Sequence, residues 1–167
     1  IINHNFSTSR LERARDVIVF ACYTGLSYSD LKTLAKEHIS EDDSGRLWIK
    51  KHRVKTGVLF RVPLLPIPKL ILEKYRESEE ILPVRDLSTF DEYLKEIAAL
   101  CGINKLVSTH TARYTFATTV TLTNRVSIDV VAKMMGHTNT RMTSHYAKVV
   151  DDYIAAEMDR LQEVYME

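Results

Sequence analysis

The stretch from Arg46 to Pro63, RLWIKKHRVKTGVLFRVP, most constrains how this chain folds, because two short runs rich in β-branched and aromatic residues flank a turn sequence. RLWIKK and VLFRVP read as strands of a hairpin, with Lys55, Thr56 and Gly57 in the connection and Lys55 at the tip. Around the hairpin the pattern is helical. Ser9 with Glu12 makes a capping-box pattern for a helix running to about Tyr23, where Thr24 and Gly25 stop it. Ser27 with Asp30 opens a second helix, from Tyr28 to roughly Lys36. Pro66 and Pro68 lead into one ending near Arg76, Ser88 opens another to about Leu100, and Thr109 caps a helix bearing His110 and Arg113. Ser127 caps IDVVAKMM, which Gly136 ends, and Thr138 or Asn139 caps a short piece that carries Tyr146 near its end. These segments predict a mainly α fold with one small antiparallel β-sheet, an α+β domain. A chain of 167 residues, 45% hydrophobic, suffices for one core.

No apolar stretch approaches the roughly 18 residues of a membrane span, and no signal peptide is visible, so the expectation is a cytoplasmic protein without membrane association. Cys22 and Cys101 fall in helical segments without metal-like spacing and read as core packing. The net charge of +1 conceals an uneven distribution. Gly45 to Leu72 holds Arg46, Lys50, Lys51, Arg53, Lys55, Arg61 and Lys69 without one acidic residue, while the segment after Val150 carries Asp151, Asp152, Glu157, Asp159, Glu163 and Glu167. An acidic tail thus hides a basic face suited to a polyanion.

The chemistry concentrates near the C-terminus. In HTAR, His110 and Arg113 stand at i and i+3, on one helical face; His137 follows in MMGH, and Tyr146 comes nine residues later. A phosphodiester under attack carries charge on its non-bridging oxygens, which fixed cationic donors can hold. Arg forks onto phosphate, His donates or exchanges a proton near neutral pH, and a tyrosine beside such cations can act as the nucleophile. No His/Cys/Asp cluster has metal-ligand spacing.

The runs HTARYTFATT and VAKMMGHTNTRMTSHYAKV resemble the catalytic domain of tyrosine recombinases (phage integrases), whose motif reads His-x-x-Arg, Gly-His, then the nucleophilic Tyr. ACYTGLSYSDLKTL is similar to that family's first box, and KKHRVKTGVLFRVPL to its lysine-bearing hairpin, so that the resemblance extends over residues 9–150. It implies a catalytic domain over residues 1–150 that cuts and rejoins double-stranded DNA through a 3′-phosphotyrosyl link. Tyr146 is then the nucleophile, His110 and Arg113 stabilise the phosphate, His137 donates to it, and Lys55 protonates the leaving 5′-oxygen. It also implies DNA contacts from Lys50, Lys51, Arg53, Thr109 and Arg141, and no metal or other cofactor. The chain starts IINH without Met and reads as a piece of a longer protein whose amino-terminal DNA-binding domains are absent. The assembly expected is a homo-tetramer on paired DNA sites, monomeric when free. Within it residues 151–167 form a helix with Ile154, Met158, Leu161 and Tyr165 on one stripe, which docks either on its own core or on a neighbouring protomer.

One position departs from the pattern. Where TGL is followed in the family by an arginine that grips the phosphate, this chain has Ser27. Arg15, with Leu11, Ile18 and Val19 at its helical neighbours, lies beside a buried stripe and needs an anion, either a carboxylate such as Asp30 or the phosphate itself. The expectation is that Arg15 replaces the missing arginine. Two further readings stand beside strand exchange: a type IB topoisomerase-like relaxing enzyme, and a DNA-binding module with a decayed site.

Overall fold

The computed structural model describes residues 1–146 and 151–166. The domain boundary expected at residue 150, residues 147–149 of the last motif, and Glu167 of the acidic tail lie outside the described residues.

Helix α1 (Ser9–Thr24) is the centre of the core. Leu11, Ala14, Val17, Ile18, Phe20 and Ala21 are buried along it, and it packs against α3 (Pro66–Lys74), α4 (Leu87–Leu100) and α5 (Thr109–Thr115). The hydrophobic spacing of VIVFA therefore encloses the helix on several sides, which a surface helix with one apolar stripe would not need. It ends at Gly25, whose φ of 68° and amide bond to the Ala21 carbonyl at 2.9 Å form a left-handed cap. A side chain at Gly25 would also run into the ring of Phe116, so glycine is required there twice over.

The expected sheet is present with one strand more than foreseen. β2 (Leu47–His52) and β3 (Leu59–Pro63) form the antiparallel hairpin, with Ile49 opposite Val62 and Lys51 opposite Phe60. β1 (Ile39–Glu41) adds to the other edge of β2, Ile39 facing Ile49. Three residues are too few for a legible alternation, which is why ISE gave no strand signal. Because side chains alternate across a strand, Ile49, Lys51, Phe60 and Val62 face inward while Lys50 and Arg61 face solvent.

Several helix starts are displaced from their expected residues. Thr8, not Ser9, has the extended backbone of the cap of α1, and no side-chain cap bond forms there, so the Ser9–Glu12 capping box is not made. Asp86, not Ser88, caps α4 through the Thr89 amide at 3.0 Å, and Ser108, not Thr109, caps α5 through the Thr111 amide at 3.2 Å. Each start lies in a run of several candidate caps, and the choice among them falls to whichever register buries the apolar face. α2 (Tyr28–Lys32) stops earlier than Lys36, and a 3₁₀ turn over Lys36–His38 leads to β1; α3 likewise ends at Lys74, short of Arg76. Ser27 and Ser127 cap α2 and α6 (Ile128–Met134) as expected. α5 runs on into a wider, π-type coil over Phe116–Thr121, where the Thr118 hydroxyl bonds back to the Tyr114 carbonyl at 2.9 Å and that of Thr121 to Ala117 at 2.8 Å.

α6 packs against β3, and α7 (Arg141–Ser144) follows it; Tyr146 lies two residues past α7 instead of on it. The last helix, α8 (Asp151–Tyr165), exposes Ile154, Met158, Leu161 and Tyr165, so its apolar stripe is not covered by the chain's own core. Among the described residues no helix is long and apolar enough to cross a membrane. Cys22 and Cys101 are free and half-buried, and burial pushes the Cys22 thiol up to about 11.

Candidate active site

Three segments distant in sequence meet at the carbonyl of Met135, the residue that closes α6. Arg113, on the buried face of α5 and 7% exposed, donates through Nη2 to the Met135 oxygen at 2.7 Å and to His137 Nε2 at 3.0 Å, and through Nη1 to the Gly25 carbonyl. The Arg53 side chain, which leaves the hairpin, donates through Nη1 to the same Met135 oxygen at 3.0 Å. The chain turns left-handed at the next residue, Gly136. With φ at 62° and no Cβ, Gly136 lets the stem of Arg53 pass: a side chain there would stand 2.7 Å from Arg53 Cγ and 2.9 Å from Cδ.

A guanidinium can only donate, so His137 Nε2 must accept from Arg113, and the neutral ring then carries its proton on Nδ1, toward the Thr143 hydroxyl at 2.8 Å. Burial, then the charges of Arg113 and Arg53, push the His137 pKa down to about 4, so the ring is neutral at physiological pH. Burial and the Arg53 charge also push Arg113 down to about 10, an effect the adjacent Tyr146 phenol partly offsets. The Tyr146 ring lies parallel to His137, with centroids 6.5 Å apart and 10° between planes, and edge-on to Tyr114 at 5.5 Å.

The buried carboxylate of the site is Asp30. Its Oδ2 receives the Ser27 hydroxyl at 2.6 Å and forms an ion pair with Arg53, whose Nε is 3.1 Å away, and its Oδ1 receives the Val54 amide at 2.9 Å. It therefore ties the start of α2 to the hairpin. Arg15 does not reach this group. Its guanidinium is held by Asp16 Oδ1 at 3.0 Å and by the His4 carbonyl at 3.2 Å, while Asp16 also takes Lys74 at 2.6 Å and the Tyr75 hydroxyl at 2.8 Å. Arg15 is partly buried, as its helical neighbours predict, but the anion it finds is its neighbour Asp16, and Asp30 pairs with Arg53. The expected substitution by Arg15 is corrected accordingly.

His110 lies one helical turn before Arg113 and is exposed; among the described residues no hydrogen bond joins it to Arg113 or His137. Lys55 is exposed at the hairpin tip, as are Lys50 on β2 and Arg141 at the start of α7, and Thr109 is half-buried. Lys51, expected at the DNA, is instead 8% exposed on the covered face of the sheet opposite Phe60, because strand alternation pairs it with Ile49. Arg53, expected as a contact to the DNA backbone and a near competitor of Lys55 in the same turn, is the residue whose place beside Arg113 the sequence did not show. Its one signal was position, two residues before Lys55 in the same turn.

Residues 2–152 match the sequence model of the phage integrase family. Transposase B of transposon PsiTn554 from Staphylococcus aureus is 30% identical over 166 residues, 88% of this chain but 26% of the transposase. A tyrosine recombinase of Thermosipho africanus is 32% identical over 151 residues, 83% of this chain and half of that protein. This chain thus spans about a quarter to a half of these relatives. Among solved structures, XerA recombinase superposes with a TM-score of 0.68 at 19% identity, over 94% of this chain and 65% of XerA.

Proposed function

We propose, from the premise that this chain belongs to the phage integrase family of tyrosine recombinases, that it cuts and rejoins double-stranded DNA through a 3′-phosphotyrosyl link at Tyr146. The observation that carries the reading is the packing of Tyr146 against His137 and beside Arg113, whose guanidinium is already fixed by two carbonyls and an imidazole. A nucleophile next to a preorganised cation is what in-line attack on a phosphodiester requires.

In the proposed step Tyr146 Oη forms a bond to phosphorus as the bond to the 5′-oxygen breaks. The phenolic proton leaves to solvent and Lys55, on its exposed turn, protonates the departing oxygen. One phosphoester replaces another, so the step balances without a high-energy co-substrate, and the freed 5′-hydroxyl of a partner strand reverses it on a new link. Arg113 and His110 hold the non-bridging oxygens. His137 keeps Arg113 oriented in the free protein; to donate to phosphate through Nε2 the ring takes its proton there, gives up the Arg113 bond and accepts the Thr143 hydroxyl on Nδ1. Lys50, Thr109 and Arg141, all at or near the surface, supply phosphate contacts that set register on the duplex.

The exposed apolar residues of α8 support its docking on a neighbouring protomer within a tetramer on paired DNA sites, residues 1–150 being the catalytic unit, at work in the cytoplasm. The test is covalent trapping. Duplexes of randomised sequence, each nicked beside one potential scissile phosphate, lose the short 5′-hydroxyl strand on cleavage and leave the protein attached. The expected result is a denaturation-resistant adduct whose linked peptide contains Tyr146 and which Tyr146→Phe abolishes. Binding without any adduct would leave only a DNA-binding module.

A further inference from the structure

We propose that Arg53 is a second phosphate-binding catalytic residue, occupying from the hairpin the place that Ser27 leaves empty on α2. This rests on the DNA-cleaving reading above and specifies how its phosphate is held.

Arg53 is built into the site. Its Nε lies 3.1 Å from Asp30 Oδ2 in an ion pair with a side chain 1% exposed, and Nη1 donates to Met135, so the guanidinium is held by two fixed groups from different elements. The stem lies in the gap left by the missing Cβ of Gly136, and the guanidinium stands 6.0 Å from the centroid of Phe60. A surface arginine that merely brushes a DNA backbone needs none of this. The side chain is nonetheless 10% exposed, and Nη2 has no partner among the described residues, which leaves a donor edge for a ligand.

Charge makes the same argument. Arg53 and Arg113 meet on one carbonyl oxygen, and among the described residues Asp30 is the carboxylate in ion-pair contact with either. His137 between them is neutral. The group therefore carries an excess of one positive charge, which one phosphodiester neutralises. In Arg113, both Nη2 hydrogens are engaged by Met135 and His137 and Nη1 is engaged by Gly25, so Arg113 alone has little of its fork left to hold two non-bridging oxygens. Burial first, and then the Arg53 charge, depress the Arg113 pKa, in keeping with two cations held close together.

Ser27 explains the exchange. The serine there caps α2 and donates a hydrogen bond to Asp30, and the same carboxylate pairs with a cation arriving from the hairpin. Arg15 is excluded by Asp16, and Lys51 by its inward position on β2.

The alternative is that Arg53 only pins the hairpin to α2. The two roles separate with the duplex recovered by covalent trapping, synthesised either with its ordinary scissile phosphate or with a neutral methylphosphonate there. Arg53→Met keeps the stem and loses the charge. If Arg53 holds the phosphate, this change slows adduct formation on the phosphate duplex by about a hundred-fold or more and on the methylphosphonate duplex by less than ten-fold, since no anion remains to be held. Arg53→Lys falls between. Each ratio comes from one preparation, so loss of folded protein lowers both rates alike and cannot imitate the difference. Equal slowing on both duplexes by both variants, or no slowing on phosphate, overturns the proposal while leaving the nucleophile reading intact. Absence of a Tyr146-dependent adduct from the unsubstituted protein overturns both.

Discussion

Replacing Asp30 by alanine tests the polar core of the site most directly. The carboxylate is fully buried, receives a hydroxyl at 2.6 Å and an amide at 2.9 Å, and pairs with a guanidinium at 3.1 Å. Its removal strands Arg53, itself largely buried, beside Arg113, and leaves the Val54 amide and Ser27 hydroxyl without their acceptor. Breaking a buried ion pair by deleting one partner typically costs about 3–5 kcal/mol, because the remaining charge stays desolvated. In a domain of this size that lowers the melting temperature by about 6–20 °C, from a rule of about 2–4 °C per kcal/mol. The informative arm is the double variant Asp30→Ala with Arg53→Met. Once the stranded guanidinium is gone, the double variant should be more stable than Asp30→Ala alone, with a coupling of about 1–3 kcal/mol in a double-mutant cycle read by urea unfolding. A cost below about 1 kcal/mol for Asp30→Ala, or strictly additive single changes, would refute the reasoning that Asp30 neutralises and orients Arg53.

Two further outcomes are expected. His137 binds its proton near pH 4 in the folded protein but at its ordinary value near 6.5 when unfolded, so stability is flat above pH 6.5 and declines as pH falls from 6.5 toward 4, where the unfolded chain binds the extra proton. Unscreened, the effect would be about 3 kcal/mol; for a half-buried ring about 1–2 kcal/mol is expected, measured as the difference in urea midpoints between the parent and His137→Gln across that window, and a pH-independent difference would contradict it. Lys55→Ala, at an exposed turn, should change unfolding free energy by less than about 0.5 kcal/mol yet slow adduct formation strongly. Replacing the bridging 5′-oxygen by sulfur, a leaving group that needs no proton, should restore the rate; a variant as slow on sulfur as on oxygen would remove Lys55 from the role of acid.

Much of this was legible in the sequence because the signals were local. The hairpin, the helix after Ser27, the cap at Ser127 and the turn at Gly136 each follow from a few adjacent residues, and each is found. Local signals failed where several candidates stood side by side. Ser7-Thr8-Ser9 and Ser108-Thr109 each offer more than one cap, and three residues of β1 are too short to show a period. For the candidate site the sequence offered a list, His110, Arg113, His137 and Tyr146 in order with Lys55 upstream, of which the structure brings Arg113, His137 and Tyr146 together.

What the list lacked was the partner of each charge. For Arg15, helical neighbours predicted partial burial and could not tell Asp16 from Asp30, since a long flexible side chain samples both. For Arg53, no spacing rule links residue 53 to residues 30 and 135, because their meeting depends on how the hairpin lies across α2 and α6. Sequence by itself thus determined the fold class, the family and the residue types of the chemistry, all of which rest on short-range periodicity and motif order. Tertiary structure alone decided which arginine stands beside Arg113, because a buried cation goes where a carboxylate and a carbonyl converge from distant segments, and that convergence exists only once the chain has packed.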